Sequence, residues 1–154
     1  MKFVHGNIFD SDCDILVNTI NCVGVMGKGV ALECKKRFPQ NFKEYWKACK
    51  DEQIHPGEIF IFQENGKTII NLATKNHWKN SSRLEWVEKG TIALARLLRA
   101  SGGSTIAIPP LGCGNGNLKW QDVRPILEKY LSDIPDVEIC IFEPESEISS
   151  RDSI

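Results

Sequence analysis

The sequence predicts a three-layer α/β/α domain built on a mixed sheet of about six strands. Strand-like apolar runs alternate with helical stretches along most of the 154 residues, which favours parallel strands joined by helices. The exception is an Asn65-Gly66 turn between two apolar runs, a hairpin signal that adds an antiparallel pair. A hydrophobic content of 42% is sufficient for the core of one such domain.

The strands are predicted from short apolar runs. The continuous run at 14–18 is typical of a strand covered on both faces. On either side of the Asn65-Gly66 turn, the flanking runs predict two adjacent antiparallel strands. The predicted strands are residues 2–5, 14–18, 58–63, 68–72, 105–108 and 137–142.

The helices are predicted from apolar residues that recur with a helical period and from capping signals. One amphipathic helix is expected to pack on the core through Phe42, Tyr45, Trp46 and Cys49, at positions i, i+3, i+4 and i+7. A capping box, Ser82-Arg83-Leu84-Glu85, predicts the start of the next helix, with Leu84 as its first apolar position. The last helix is expected to turn Ile126, Leu127 and Tyr130 inward. The predicted helices are residues 30–38, 41–50, 82–100 and 123–131.

Composition excludes several classes of function. With 19 Lys and Arg against 20 Asp and Glu, the net charge of −1 gives no general attraction to nucleic acid or anionic membranes, so any nucleic-acid contact must be local. No apolar run approaches the ~20 residues of a membrane span, and the start lacks a signal-peptide core. The six cysteines and three histidines show neither disulfide nor metal-ligand spacing. We therefore expect a cytoplasmic monomer with free thiols, no metal and no cofactor.

Two glycine-rich loops each join a predicted buried strand to a helix. The first carries glycines 24, 27 and 29, and the second, residues 109–117, carries glycines 112, 114 and 116. Glycine lets backbone N–H groups converge on an anion, and a helix N-terminus adds a partial positive charge. A tight turn that needs glycine only for its dihedral angles is the more frequent explanation of one such loop, but two loops facing one crevice suit a diphosphate. No G-x-x-x-x-G-K-[ST] occurs, and Asn117 stands where G-x-G-x-x-G requires its last glycine, which argues against ATPase and Rossmann sites.

At these loops the sequence resembles a known family. Macro domains, which bind ADP-ribose, carry V-N-A-A-N followed by G-G-G-V-A, and the corresponding residues here are Val17-Asn18-Thr19-Ile20-Asn21 and Gly27-Lys28-Gly29-Val30-Ala31. DarG-type macro domains are similar to this chain over residues 19–31, at Ala73-Thr74-Lys75 with the following His77-Trp78, and over residues 109–120. Proteins of that type are antitoxins that remove ADP-ribose attached to thymidine bases of DNA by a DarT toxin. The resemblance covers residues 1–144 and leaves 145–154 as a polar tail.

The resemblance implies catalytic roles for Lys75 and Asn21 at the distal ribose. Lys75 also follows a buried run, residues 69–73, and so emerges at a strand end beside the predicted crevice. Partial burial lowers the pKa of a lysine and supplies a neutral amine, which acts as base or as nucleophile. Residues 112–117 contain no carboxylate, so the second catalytic acid of some eukaryotic relatives is not expected here.

The resemblance also implies a set of ADP-ribose-binding residues. Asn7 lies at the adenosine end, where many macro domains carry Asp, and its carbonyl is a weaker, uncharged acceptor. Phe142 either covers the adenine face or is an ordinary core aromatic, and Asn18 either reaches the ligand or only fixes the loop. The other implied residues are Ile8, Gly27, Lys28, Gly29, Val30, Thr74, Pro110, Gly112, Cys113, Gly114, Asn115 and Gly116.

Aromatic and cationic side chains crowd the segment after Lys75. Such side chains stack on an unpaired base and contact nearby phosphates, although a solvated loop explains them equally well in isolation. The candidate DNA-binding residues are His77, Trp78, Lys79 and Arg83.

The resemblance implies an ADP-ribosyl glycohydrolase, a hydrolase that frees thymidine bases of single-stranded DNA from ADP-ribose. The implied partners are ADP-ribose, ADP-ribosylated single-stranded DNA and a DarT-like toxin. Three other functions use the same pocket: an ADP-ribose reader without turnover, an ADP-ribose-1″-phosphate phosphatase, and a hydrolase of O-acetyl-ADP-ribose or ADP-ribosyl-glutamate.

Overall fold

Six strands form one mixed sheet in the computed structural model, which describes residues 1–145. The strand order is β1-β6-β5-β2-β4-β3, and all neighbours are parallel except β3 and β4. The predicted mixed six-stranded sheet is confirmed, while all of the predicted polar tail except Glu145 lies outside the described residues. The strands are β1 (Lys2–Val4), β2 (Ile15–Ile20), β3 (Ile59–Glu64), β4 (Lys67–Ala73), β5 (Thr105–Ile108) and β6 (Glu138–Phe142).

Four helices cover the two faces of the sheet. One face carries α3 and α4, whose buried side chains pack on Val17, Leu72 and Ile106. The opposite face carries α1 and α2, which pack on Leu16 and Ile69 and, nearer the carboxyl end, on Ile20 and Ala73. Because the strands alternate between these cores, the predicted three layers are confirmed. The helices are α1 (Gly29–Arg37), α2 (Pro39–Lys50), α3 (Leu84–Ser101) and α4 (Trp120–Leu131).

The hairpin between β3 and β4 follows the predicted turn chemistry. Asn65 and Gly66 both have positive φ, 53° and 76°, as a two-residue turn between right-twisted strands requires. Glu64 faces Lys67 across the turn, and the pairing continues to Ile59 and Leu72. The hairpin places β4 between β2 and β3, so the carboxyl end of β4 adjoins that of β2.

Three expectations about the helices are corrected by the structure. Trp46 is 42% exposed, so α2 packs on the core through Tyr45 and Ala48, with Phe42 and Cys49 half-buried. Leu84 is also exposed, because it lies in the first turn of α3, ahead of the part that contacts the sheet. The predicted capping box does not form: Arg83 is the N-cap of α3 without a side-chain hydrogen bond, and the buried Ser82 hydroxyl has no partner.

Three buried asparagine side chains connect the sheet to α2. Nδ2 of Asn71 in β4 donates to Oδ1 of Asn41 at 2.9 Å, and Nδ2 of Asn41 donates back to Asn71 at 3.2 Å. Asn18 in β2 donates to the same Asn71 oxygen at 3.0 Å. Buried amides need such partners, so this network fixes β2, β4 and α2 relative to one another just below the carboxyl edge of the sheet.

None of the six cysteines, all of which lie among the described residues, forms a disulfide bond. In the part of the chain that the structure describes, no helix is both long and apolar enough to cross a membrane.

Candidate functional site

The two glycine-rich loops meet at the carboxyl edge of the sheet. Loop 1 (residues 21–28) follows β2 and loop 2 (residues 109–117) follows β5, and these strands are parallel neighbours. A methyl group placed on Gly29 would lie 3.1 Å from Nδ2 of Asn115. The start of α1 therefore touches loop 2 across the crevice, as the sequence predicted.

A cleft of two adjoining cavities runs between the loops. The larger cavity has a volume of about 780 Å³ and the smaller about 490 Å³. Both are lined by Gly29, Val30, Pro109, Pro110, Cys113 and Gly114, so they form one continuous groove. The larger cavity is lined by Lys75, half of loop 1 and nearly all of loop 2, whereas the smaller is lined by Asn7, Ile8 and Phe142.

Loop 1 is shaped by the side chain of Asn21. Its Oδ1 accepts the backbone N–H groups of Val23 at 3.1 Å and Val25 at 3.3 Å, and its Nδ2 donates to the Val25 carbonyl at 2.8 Å. Asn21 lines the larger cavity but is 94% buried, with a relative exposure of 6%. One N–H of the amide remains for a ligand, so Asn21 holds the loop in addition to any contact with the ribose.

The N-terminus of α1 opens directly into the cleft. Lys28 is the N-cap and makes no side-chain capping bond, and the first helical hydrogen bond runs from Leu32 N–H to the Lys28 carbonyl. The N–H groups of Gly29, Val30 and Ala31 are thus left without helical partners, and all three residues line the larger cavity. Free N–H groups at a helix N-terminus form an anion site, which fits the predicted diphosphate.

Loop 2 depends on glycine for two separate reasons. Gly112 and Gly114 have φ of +73° and +68°, in the left-handed region that side chains disfavour. At Gly116 the reason is space, since a methyl group there would lie 2.5 Å from Oγ of Ser82. The Ser82 N–H donates to the Gly116 carbonyl at 2.9 Å, so the segment before α3 supports loop 2 from below.

Lys75 lies just beyond the end of β4, on the wall of the larger cavity. The N–H groups of Thr74 and Lys75 both donate to the carbonyl of Ile20, which joins this segment to the start of loop 1. The Lys75 amine donates to the Trp78 carbonyl at 3.4 Å. Burial lowers the pKa of this amine, and the positive charge of Lys28 lowers it further. A larger fraction of Lys75 is therefore neutral at physiological pH than for a solvated lysine.

The four candidate DNA-binding residues do not all reach the cleft. Trp78 and Lys79 line the larger cavity. His77 lies behind them, with its ring 5.5 Å from the Trp78 ring, and Arg83 lies over Trp86 and pairs with Glu85. Neither His77 nor Arg83 lines a cavity.

Three binding residues implied by the resemblance need qualification. Asn18 is 2% exposed, lines neither cavity and is committed to the buried amide network, so it fixes the strand beneath loop 1. Oδ1 of Asn7 accepts the Phe9 N–H at 2.9 Å, although Asn7 itself is exposed at the rim of the smaller cavity. Phe142 is half-buried there and also packs on the core.

The chemistry of the larger cavity is cationic. The described residues that line it include Lys28, Lys75 and Lys79 but no Asp, Glu or His. Asp122 lies in the first turn of α4 and lines neither cavity. Among residues 1–145, no cluster of three side chains is arranged to hold a metal ion. Lys75, which lines this cavity and whose amine has a pKa lowered by burial, is the candidate group for acid-base or nucleophilic chemistry.

Sequence reasoning missed several residues that support the site. Tyr45 contacts Asn21 from below, Asn41 and Asn71 fix the strands, and Ser82 packs on loop 2. The available signal was a polar residue inside an apolar helical or strand pattern, which indicates a buried polar contact. Tyr45, Asn41 and Asn71 all occupy such core-facing positions.

The fold and the two loops define a class of protein, and the chain belongs to the Macro domain family, whose sequence model matches residues 17–127. Among individual proteins, the chain is 43% identical over 148 residues to the DNA ADP-ribosyl glycohydrolase of Mycobacterium tuberculosis. The aligned region covers 94% of this chain and 42% of that protein. The chain thus spans less than half of this relative's length.

Solved structures agree with this assignment. The macrodomain of Mycobacterium tuberculosis DarG superimposes with a TM-score of 0.86 at 42% identity, covering 93% of this chain and 98% of that one. Thermosipho africanus DarTG in complex with ADP-ribose superimposes with a TM-score of 0.85 at 30% identity, covering 94% of this chain and 41% of that one.

Proposed function

We propose that this macro domain is an ADP-ribosyl glycohydrolase that removes ADP-ribose from thymidine bases of single-stranded DNA. The observation that carries the proposal is the position of Lys75, which lines the larger cavity between two glycine-rich loops. A domain that only binds ADP-ribose does not need a partly buried lysine in this cavity. Cleavage at an anomeric carbon does, because a neutral amine acts there as base or nucleophile.

The shape of the cleft supports ADP-ribose as the bound part of the substrate. The free N–H groups at the start of α1 and the backbone of loop 2 face each other across the middle of the groove, where a diphosphate fits. The smaller cavity, with Phe142 on its wall, accommodates the adenosine, and the larger cavity accommodates the distal ribose. A structure of the similar Thermosipho africanus protein is described as a complex with ADP-ribose.

The proposed reaction replaces the base on the anomeric carbon by water. The bond from this carbon to the thymine nitrogen breaks, a bond to the water oxygen forms, and the nitrogen recovers a proton. The neutral Lys75 amine either takes the proton from water or attacks the carbon first and is then displaced by water. The products are free ADP-ribose and unmodified DNA.

The name of the Mycobacterium tuberculosis relative supports DNA as the substrate. We propose accordingly that the chain acts as an antitoxin domain against a DarT-like toxin that adds the modification. The substrate must present the base unpaired, because a base within a duplex is not accessible to a cleft of this kind.

Matched substrates and two variants of Lys75 test the proposal. We expect release of ADP-ribose from a thymidine-modified single-stranded oligonucleotide to exceed release from ADP-ribosylated protein and dephosphorylation of ADP-ribose-1″-phosphate. Lys75→Ala and Lys75→Arg should abolish release while retaining calorimetric affinity for free ADP-ribose, because arginine keeps the charge but supplies no neutral amine. Lys119→Ala, which removes an exposed lysine outside both cavities, is the control and should leave release unchanged.

Two results would contradict the proposal. Faster turnover of ADP-ribose-1″-phosphate than of the modified oligonucleotide would show that the proposed substrate is wrong. Full release of ADP-ribose by Lys75→Ala would show that the Lys75 amine takes no part in the mechanism.

A further inference from the structure

Aromatic residues line both cavities of the cleft. The smaller cavity is lined by Phe9 and Phe142, and Trp78 is the one aromatic residue among the described residues that line the larger cavity. The phenylalanines are accounted for by the adenine of ADP-ribose. No part of ADP-ribose accounts for a second aromatic surface, because the far end of the molecule is a sugar.

Trp78 lies close to the proposed reaction centre. The amine of Lys75 donates to the Trp78 carbonyl at 3.4 Å, and the two residues are three positions apart. In the proposed substrate the base is bonded directly to the anomeric carbon. A base bonded to the anomeric carbon beside Lys75 is therefore also near Trp78.

The indole of Trp78 is held in place yet remains open to solvent. The residue is 48% exposed, the highest value among the large hydrophobic residues described. The His77 ring is tilted by 31° to it at 5.5 Å, and the Lys79 amine lies 5.3 Å from its ring centroid. Nδ1 of His77 also accepts the Lys79 N–H at 3.1 Å, which orders this segment. His77 thus acts as a support for the indole.

The surrounding charge suits a nucleotide. Lys28, Lys75 and Lys79 line the larger cavity, and no carboxylate does so among the described residues. The net charge of the chain is −1, so this positive charge is local. A nucleotide places its base against the ring and its phosphate near the lysines, whereas a glutamate side chain offers no ring to stack.

We infer that Trp78 is a specificity-determining residue on which the target nucleobase stacks, with Lys79 facing the adjoining phosphate. This inference rests on the proposed function and adds the means by which base-linked ADP-ribose is distinguished from protein-linked ADP-ribose. Arg83 takes no part, since its guanidinium lies over Trp86 and outside the cleft.

The test compares one variant on two substrates. Trp78→Ala should lower kcat/KM about 10- to 100-fold for the thymidine-modified oligonucleotide, the loss expected when one base–aromatic stack is removed. It should change release from ADP-ribosylated glutamate on a protein less than twofold and retain affinity for free ADP-ribose. Trp78→Phe should restore most of the activity on the oligonucleotide, because a stacking ring remains.

Trp46→Ala is the matched control. Trp46 is 42% exposed, carries the Lys50 amine 4.6 Å from its ring centroid and lines neither cavity. Trp46 packs on Gly24 of loop 1. Any loss of activity in Trp46→Ala should therefore be the same for both substrates.

Equal losses on both substrates, or no loss with Trp78→Ala, would overturn the stacking role while leaving the glycohydrolase proposal intact. No release from the oligonucleotide by the unsubstituted chain would overturn the proposed function and the stacking role together.

Discussion

The phenolic oxygen of Tyr45 lies 2.8 Å from Oδ1 of Asn21 and 2.9 Å from the Asn21 carbonyl oxygen. Tyr45 is fully buried in α2, so its single proton, shared between these two acceptors, ties loop 1 to the helical layer beneath it. Asn21 in turn fixes the backbone of Val23 and Val25. The conformation of loop 1 is therefore set by a tyrosine that lies outside the cleft.

Tyr45→Phe should weaken ADP-ribose binding although Tyr45 touches no ligand. The substitution retains the buried ring and removes only the hydroxyl, at an expected cost of about 1 kcal/mol in the free energy of unfolding. If half or more of this free energy stabilises the conformation of loop 1, the affinity for ADP-ribose should fall by about two- to fivefold. Urea unfolding and calorimetry measure the two effects.

Tyr130→Phe is the control for this prediction. Tyr130 is half-buried on α4 and packs on the opposite core cluster, so removal of its hydroxyl should leave ADP-ribose affinity unchanged. Unaltered affinity in Tyr45→Phe as well would show that loop 1 keeps its shape without the tyrosine.

Much of the fold was predictable because its signals are local. The Asn65-Gly66 turn specifies its own positive φ values, and the run of apolar residues in β2 indicates burial on both faces without knowledge of the neighbours. Ser82 shows where local signals fail. Its sequence context matches a capping box, but contact with Gly116 places the side chain under loop 2 instead. Tertiary packing outweighs a cap that contributes about 1 kcal/mol.

The candidate site was predictable in its ligand-facing half. Both glycine-rich loops and Lys75 follow directly after strands, and the carboxyl ends of neighbouring strands meet at one edge. The residues that support the loops from beneath could not be predicted, because their contacts join residues far apart in sequence. Tyr45 is 24 positions from Asn21, and Asn41 is 30 positions from Asn71. A single sequence shows that these residues are polar at core-facing positions, but it does not show which residue each of them pairs with.

Lys28 should lower the pH at which the proposed release of ADP-ribose begins. Its positive charge is one of two causes that lower the Lys75 pKa, the larger being burial. Removal of that charge by Lys28→Met lets the Lys75 pKa rise, so a higher pH is needed to form the neutral amine. The ascending limb of the kcat–pH profile on modified oligonucleotide should therefore move to higher pH.

Lys28→Arg separates charge from other effects of the substitution. Arginine keeps the positive charge, so its kcat–pH profile should follow that of the unsubstituted chain. A profile that stays in place for Lys28→Met, or that moves to lower pH, would contradict the electrostatic coupling of the two lysines.

Asn71→Ala should be among the most destabilising substitutions in the sheet. It leaves the amides of Asn41 and Asn18 buried without their main partner, and each such loss costs about 1–3 kcal/mol. We expect the free energy of unfolding to fall by about 3 kcal/mol, measured by urea titration. Asn76→Ala, at an exposed asparagine, should change it by less than about 0.5 kcal/mol. A loss below 1 kcal/mol for Asn71→Ala would mean that the network contributes little.

Gly116→Ala tests whether loop 2 rests on Ser82. The added methyl group would lie 2.5 Å from the Ser82 Oγ and 3.1 Å from its Cβ, and overpacking of this kind costs about 1–3 kcal/mol. The φ of Gly116 is not in the left-handed region, so the loss should come from this contact alone. Removal of the opposing side chain by Ser82→Gly in the Gly116→Ala background should therefore recover most of the stability and of the ADP-ribose affinity. Gly27→Ala, whose methyl group would meet only Val25 at 3.6 Å, gives the stability expected without a clash. If the two substitutions at Gly116 and Ser82 are simply additive, the contact does not support the loop.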